Sequence, residues 1–370
     1  MILSIIVFLL VLSLLILVHE LGHFIVAKKS GIMVEEFGLG LPPRIWGKKI
    51  GETIYSINWL PFGGFNKLYG EQSEEGVTDP ARSFLHKNKR TRALVVIAGV
   101  IMNFLLAIVA FAIVYSFSGI PRDTGKLQVV DVSAGSPAET AGIIDGDIIT
   151  KVGNNAITSS DDFISKTAAL KGKVTTFEIQ RTVDGKESTL KINLTPRENP
   201  PTGEGPIGVT ITTMEIYYPP IWERPFYGVY YGFKDAIYWG ETIVLGLWGL
   251  AVQIFNGQTP QGVSGPVGIF AVTTEAQRAG ILTLINFIGI LSVNLAVLNI
   301  VPFPALDGGR LLFIGIEAVT KKRISTKVEA TINNIGMLIL LALLLVITFG
   351  DVRRLITFGG INGFLNSLSK

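Results

Sequence analysis

Residues 2–23 read ILSIIVFLLVLSLLILVHELGH, and the interpretation of this stretch decides the fold. From 2 to 18 it holds only Ile, Leu, Val and Phe apart from two serines, the composition of a membrane span. His19 and His23 are four residues apart, so on a helix both imidazoles share a face, with Glu20 beside them. Two nitrogen ligands and a carboxylate at that spacing form the zinc-protease arrangement, in which the acid takes a proton from metal-bound water. The pattern arises by chance in many chains. Ionisable groups inside a membrane segment are costly, however, and three within five residues have no structural use there. No basic segment precedes the apolar run and no small-residue cleavage pattern follows it, so it reads as a span and not as a signal peptide.

The 370-residue chain as a whole supports a membrane protein: 48% of its residues are hydrophobic and its mean hydropathy is +0.48. The absence of cysteine excludes disulfides and thiolate ligands. A net charge of +3, without basic tracts interleaved with aromatics, excludes nucleic acid as a partner. Three further segments are long and apolar: 93–118, 280–301 and 335–349. Residues 28–92 carry 11 Lys/Arg against 7 Asp/Glu, and the loop before the last span is basic as well. Residues 119–279 carry 13 against 17. The positive-inside rule then puts both basic loops in the cytoplasm, with the central region and both termini outside. Residues 225–255 are long enough to span but contain Lys234, Asp235, Glu241 and many aromatics. An amphipathic helix in the interface keeps the charge pattern consistent, and about four transmembrane helices are expected.

A catalytic zinc needs a third protein ligand. The only other histidine, His86, lies in the basic stretch HKNKRTR, where a solvated or headgroup-facing role is expected. With no cysteine, the ligand must be a carboxylate, and Asp307 follows the 280–301 span in the stretch NIVPFPALDGG (299–309). Pro302 and Pro304 prevent a continuous helix, and Gly308 and Gly309 permit unusual backbone angles. Apolar helical sequence resumes behind them up to Lys321–Arg323, so this span is interrupted near the metal site. Such a break is tolerated only where it is buried in protein or lines a cavity. Two nitrogens and a carboxylate also suit cobalt or iron.

With HELGH in a first span and NxxPxPxLDGG in a late one, the chain resembles the site-2 protease family of intramembrane zinc metalloproteases, in its bacterial regulator-of-sigma-E branch. The resemblance covers nearly the whole chain. It implies Zn2+ held by His19, His23 and Asp307, Glu20 as general base, and substrate contacts from Asn299 and Asn294. It also implies a multi-pass protein of the bacterial cytoplasmic membrane that cleaves single-span substrates, such as trimmed anti-sigma factors or remnant signal peptides. One departure is the sequence Ala98-Gly99-Val100, where many relatives have proline after the glycine.

Residues 125–198 read as a soluble domain. SPAETAGIIDGDIITKVGNNAI (136–157) resembles the bacterial PDZ domain, and Ser136-Pro137 starts a helix there. A PDZ domain binds peptide termini at a sheet edge, or it acts only as a size filter; both remain open. Residues 52–69 alternate with period two around Pro61-Phe62-Gly63-Gly64, which predicts a β-hairpin. The resemblance implies that its apolar tip dips into the membrane, where an edge strand would receive the main chain of an unwound substrate. Residues 71–92 read as a charged loop with a flexible part and a short surface helix near Arg82–Phe84.

The expected plan is therefore a polytopic α-helical membrane protein in four parts. Residues 1–118 hold two spans and the hairpin, and 119–200 an extracytoplasmic α/β PDZ domain. Residues 201–279 form a linker and interfacial helix, and 280–370 the last two spans. Two rivals are a scaffold with vestigial histidines and a metal transporter. The first would have lost Glu20 or a ligand, and the second would need more polar residues lining a path across the bilayer.

Overall fold

The computed structural model describes residues 2–71, 76–183, 185–258, 264–361 and 363–364. Part of the 71–92 loop, the middle of the 201–279 segment and the extreme C-terminus thus fall outside the described residues. The chain divides into two compact units, one formed by 1–117 with 221–370 and the other by 118–220.

The first unit is built on helices. α1 (Ile2–Lys29), α2 (Lys89–Ser118), α5 (Arg224–Phe255), α7 (Ile281–Ile300) and α9 (Thr326–Thr357) are each long and apolar enough to cross a membrane. α3 (Pro137–Thr140) and α4 (Ser160–Ala169) belong to the other unit. Four of these five match the expected spans. Residues such as Ile2, Leu3, Leu10, Leu94, Ile101 and Leu345 point outward from them, as they must when the surrounding solvent is lipid.

The fifth, α5, covers the segment expected to lie in the interface, and its length and composition also suit a span. Its first half packs closely along α2: a Cβ on Gly228 would lie 2.5 Å from the Ala112 carbonyl oxygen, and one on Gly232 would lie 2.8 Å from that of Ile108. Ala236 joins Ala107, Phe111 and Val293 in a shared core. Asp235, which argued against a span, accepts a 2.7 Å hydrogen bond from the Tyr115 hydroxyl of α2. Lys234 lies over the ring of Tyr230 at 5.0 Å. Asp235 and Lys234 therefore each have a partner that the linear sequence does not display.

α6 (Pro266–Ala279) packs on α1 and α7 through Ala276, Val11, Leu15 and Leu284. Its first turn is held by Asp351 of α9, which accepts N–H groups from Gly265 at 2.8 Å and Gly268 at 3.0 Å. These are donors that a helix start leaves without intrahelical partners, which accounts for a buried acid after the apolar run of α9.

Between α1 and α2 lie β1 (Val34–Ile50) and β2 (Thr53–Leu68). The hairpin is larger than 52–69, and its turn is at Gly51, where φ is +62°. The register pairs 36–39 with both 54–57 and 64–67, and 54–57 also pairs with 46–49. The first half of β1 is thus flanked by the two halves of β2, and the expected reversal near 61–64 lies between those halves. Among the described residues no strand pairs with the outer side of 64–68. At the other end, hydrogen bonds from Lys28 (2.6 Å) and from Arg82 hold the Glu52 carboxyl below the ordinary carboxylate range.

The loop that follows has a single helical turn at Pro80–Arg82, after which Phe84 and Leu85 are buried with Ala27, Ile32, Val34, Leu68, Val95 and Val96. The stretch expected to lie on the surface is therefore partly core. His86 is exposed and contacts the Ser83 hydroxyl at 3.2 Å.

The second unit is a sheet of order β7-β6-β4-β3-β8, with β5 on β4, and two short helices. Its strands are β3 (Ile120–Val132), β4 (Ile148–Val152), β5 (Asn155–Ala156), β6 (Thr175–Val183), β7 (Lys186–Leu194) and β8 (Val209–Tyr217). The helices are α3 (Pro137–Thr140) and α4 (Ser160–Ala169). Ser136 caps α3 as expected, its hydroxyl accepting the Glu139 N–H at 3.1 Å. Leu127, Val129, Ile149, Val152, Phe163, Phe177 and Ile179 form the core. Fully buried Asp147 accepts two 2.7 Å bonds from Arg181, the fork geometry suited to a carboxylate. β8 lies beyond residue 200, where sequence placed the boundary. It belongs to the sheet because it pairs along β3, from Ile120↔Tyr217 to Val132↔Val209. That partnership is non-local and leaves no mark in the strand's own residues.

Candidate metal centre

α1 presents His19 and His23 on one face, with ring centroids 4.7 Å apart and planes at 88°. α2 fixes their orientation. The His23 Nδ1 lies 2.8 Å from the Val95 carbonyl oxygen; a carbonyl only accepts, so Nδ1 carries the proton and Nε2 a lone pair. The His19 Nδ1 lies 3.3 Å from the side-chain amide nitrogen of fully buried Asn103, whose Oδ1 is buried without a partner. Turning that amide over presents Oδ1 as the acceptor for an Nδ1–H of His19. Asn103 is itself located by its main chain, whose carbonyl accepts from the Ser292 hydroxyl of α7 at 2.7 Å.

Gly99 lets the rings approach α2. A Cβ there would lie 2.5 Å from the His23 Nε2 and 2.6 Å from the His19 Cε1, closer than any side chain tolerates. Gly22 of α1 meets the Ala98 carbonyl in the same way, at 2.3 Å. The Ala98-Gly99-Val100 variant thus retains the element that matters here, the missing side chain.

The third group arrives from the interrupted span. α7 ends at Ile300 and α8 (Asp307–Thr320) begins at Asp307, so the two prolines break the helix where expected. A Cβ on Gly308 would lie 2.1 Å from the Val301 carbonyl oxygen, so the loop closes this tightly only around glycine. Ala305 has φ +73°, and its N–H donates to the Asn333 Oδ1 of α9 at 3.1 Å. Farther along α8, buried Arg92 of α2 pairs with Glu317, whose carbonyl also receives Lys89 at 2.9 Å.

Three acceptor atoms converge as a result. The His19 Nε2 lies 3.0 Å and the His23 Nε2 3.3 Å from the Asp307 Oδ2, and the two nitrogens are 3.1 Å apart. With the ring protons on Nδ1, neither imidazole donates to the carboxylate, so Asp307 Oδ2 is a buried acceptor without a donor. Facing lone pairs repel unless a cation lies between them. Ligands about 2.0–2.1 Å from a tetrahedral zinc stand roughly 3.3 Å from one another, which these separations match. The donor set fits zinc. It is the only cluster of three or more such side chains close enough to hold a metal among the described residues.

A cavity of about 540 Å³ opens beside the three groups, lined also by Glu20, Asn66, Arg310 and Asn333. Arg310 pairs with Glu71 across it. Asn294 and Asn299 are half-buried on α7 and lie outside the lining of this cavity. Asn103, Asn66 and Asn333 are residues that sequence reasoning passed over. Their only signal was polarity within or beside apolar runs.

Comparison with known proteins agrees with this chemistry. The model of Peptidase family M50 matches residues 7–343. The chain is 37% identical over 346 residues to "Putative zinc metalloprotease CPE1693" of Clostridium perfringens, covering 93% of this chain and 97% of that protein. It is 35% identical to "Putative zinc metalloprotease CA_C1796" of Clostridium acetobutylicum, covering 96% and 99%. Against "Zinc metalloprotease RasP" of Geobacillus kaustophilus it is 30% identical, covering 95% and 98%. A zinc-shaped donor set in apolar helices and a family match spanning most of the sequence lead to one conclusion: the chain belongs to peptidase family M50, the site-2 proteases, and is a membrane zinc metalloendopeptidase.

Proposed function

We propose that the protein hydrolyses peptide bonds within the bilayer, in the membrane segments of single-span proteins such as trimmed anti-sigma factors or remnant signal peptides. The observation that carries this reading is the convergence of His19, His23 and Asp307 inside helices whose outer surfaces are apolar. Bound zinc supplies Lewis acidity to a water molecule and to the scissile carbonyl. Glu20, in the cavity wall one residue from a ligand, takes the proton of the water and delivers it to the leaving nitrogen. The unpaired edge at 64–68 receives the main chain of the unwound substrate, which has lost its own helical hydrogen bonds in a dry site. Asn299 and Asn294 contact substrate in this reading by family resemblance.

The second unit, 118–220, is read as a PDZ-like domain on the extracytoplasmic side of a bacterial cytoplasmic membrane. The antiparallel sheet and the Ser136-capped helix support the PDZ-like reading, and the bacterial relatives support the bacterial membrane. Its role is to exclude substrates with bulky outer domains or to bind a peptide terminus. Deleting the whole unit, 118–220, should release cleavage of untrimmed substrates; unchanged discrimination would remove the filter.

The central test measures cleavage of a tagged single-span peptide by purified protein together with bound zinc. Glu20→Gln should keep about one zinc and lose cleavage, on the order of a thousandfold or more. His23→Ala and Asp307→Ala should lose both. Full zinc occupancy in Asp307→Ala would take that carboxylate out of the site.

A further inference from the structure

Asn66 lies in the edge half of β2, opposite Phe37 in the register. Side chains alternate along a strand, so Gly64, Asn66 and Leu68 share a face. That face looks onto α1. A Cβ on Gly64 would lie 3.7 Å from the Glu20 Cγ, and Leu68 is buried in a cluster that includes Ala27. Asn66 sits between these two contacts, in the wall of the cavity shared by His19, Glu20, His23 and Asp307.

Both polar atoms of its side chain, Nδ2 and Oδ1, are buried without a partner, and no other side chain among the described residues has both atoms in this condition. Nearby amides are used: Asn58 donates to the Leu39 carbonyl at 3.2 Å, and Asn333 accepts from Ala305. Asparagine is poorly suited to strands, and leaving a buried donor and acceptor unmade is unfavourable. A carboxamide offers one donating and one accepting end, the complement of the C=O and N–H of an extended peptide.

We propose that Asn66 is a substrate-binding residue whose side-chain amide hydrogen-bonds the substrate main chain beside the scissile bond. With Gly64 facing Glu20 and one strand repeat to Asn66, the contacted residue lies about two positions from the cleaved bond. This inference rests on the proteolytic reading given above.

The test compares wild type with Asn66→Ala and Asn66→Val, the second keeping strand preference. A synthetic single-span peptide is the probe, with zinc content and thermal melting measured in parallel. Both variants should hold zinc and melt like wild type, while kcat/KM falls about 10- to 100-fold, as expected for two lost hydrogen bonds. Peptides in which a single backbone N–H is replaced by an ester oxygen separate contact from general damage. One ester about two positions from the scissile bond should cost the wild type roughly 5- to 10-fold and the Asn66 variants nothing further. The inference is overturned if the variants cleave like wild type, lose zinc, or respond to every ester as wild type does. A wild type that cleaves no single-span peptide overturns the proteolytic reading, and this inference falls with it.

Discussion

The two walls of the metal centre are built by opposite means. On the histidine wall two continuous helices are in direct backbone contact, and each imidazole is oriented by a named partner: Val95 for His23 and Asn103 for His19. On the aspartate wall the helix is broken, and a tight six-residue loop, 301–306, returns the chain so that Asp307 opens the next helix. There the fixing contacts are the glycines at 308 and 309 and a bond from the Ala305 N–H to the Asn333 Oδ1. Helix continuity gives the histidines their shared face, whereas breaking a helix allows a carboxylate to enter the same space from another element. The first wall depends on the absence of a side chain at Gly99, the second on loop closure.

Breaking the histidine wall should have the largest effect. Gly99→Val places a branched side chain where the two rings lie, so zinc should be lost and kcat/KM should fall by on the order of a thousandfold. Metal analysis of the purified variant checks this; a variant with about one zinc would show that α1 and α2 can separate without cost. An intermediate effect is expected at Asn103. Removing the partner of a metal-binding histidine typically costs 10- to 100-fold in metal affinity. Asn103→Ala should weaken zinc to about that extent in a chelator competition, and Asn103→Asp, which also accepts from Nδ1, should restore most of it. Equal losses in both variants would mean that Asn103 fills space and does not orient the ring. The smallest effect should come from the other wall. Asn333→Ala removes one bond to a loop that the glycines and prolines already constrain, at about 1 kcal/mol, so a few-fold drop in kcat/KM with zinc retained is expected. A loss as large as that from Gly99→Val would reverse the ranking of the walls.

Much of this centre was legible before any coordinates. His19, Glu20 and His23 follow from helical spacing, and Asp307 follows by elimination, because the chain lacks cysteine and its third histidine lies in a basic loop. The four strongest spans were equally legible, since lipid demands long apolar helices whatever their neighbours. The packing of α5 on α2 was not legible: its charges look unsuited to such contact until Tyr115 is found against Asp235. β8 was missed because a strand's partner is set by pairing across the sheet. The hairpin was located but its size was not, because 34–50 reads as an irregular, charged stretch until the register with β2 is known.

The sequence by itself determined the ligand types, their helical spacing, the break before Asp307 and the membrane as solvent. These depend on local rules: periodicity, hydropathy and the backbone limits of proline and glycine. Only the tertiary structure decided which nitrogen of each histidine faces Asp307, why Gly99 must lack a side chain, and that Asn66 keeps an unpartnered amide in the cavity wall. Those properties arise where α1, α2, the edge of β2 and α8 meet, and hydrogen-bond direction and close approach exist only between elements far apart in the chain.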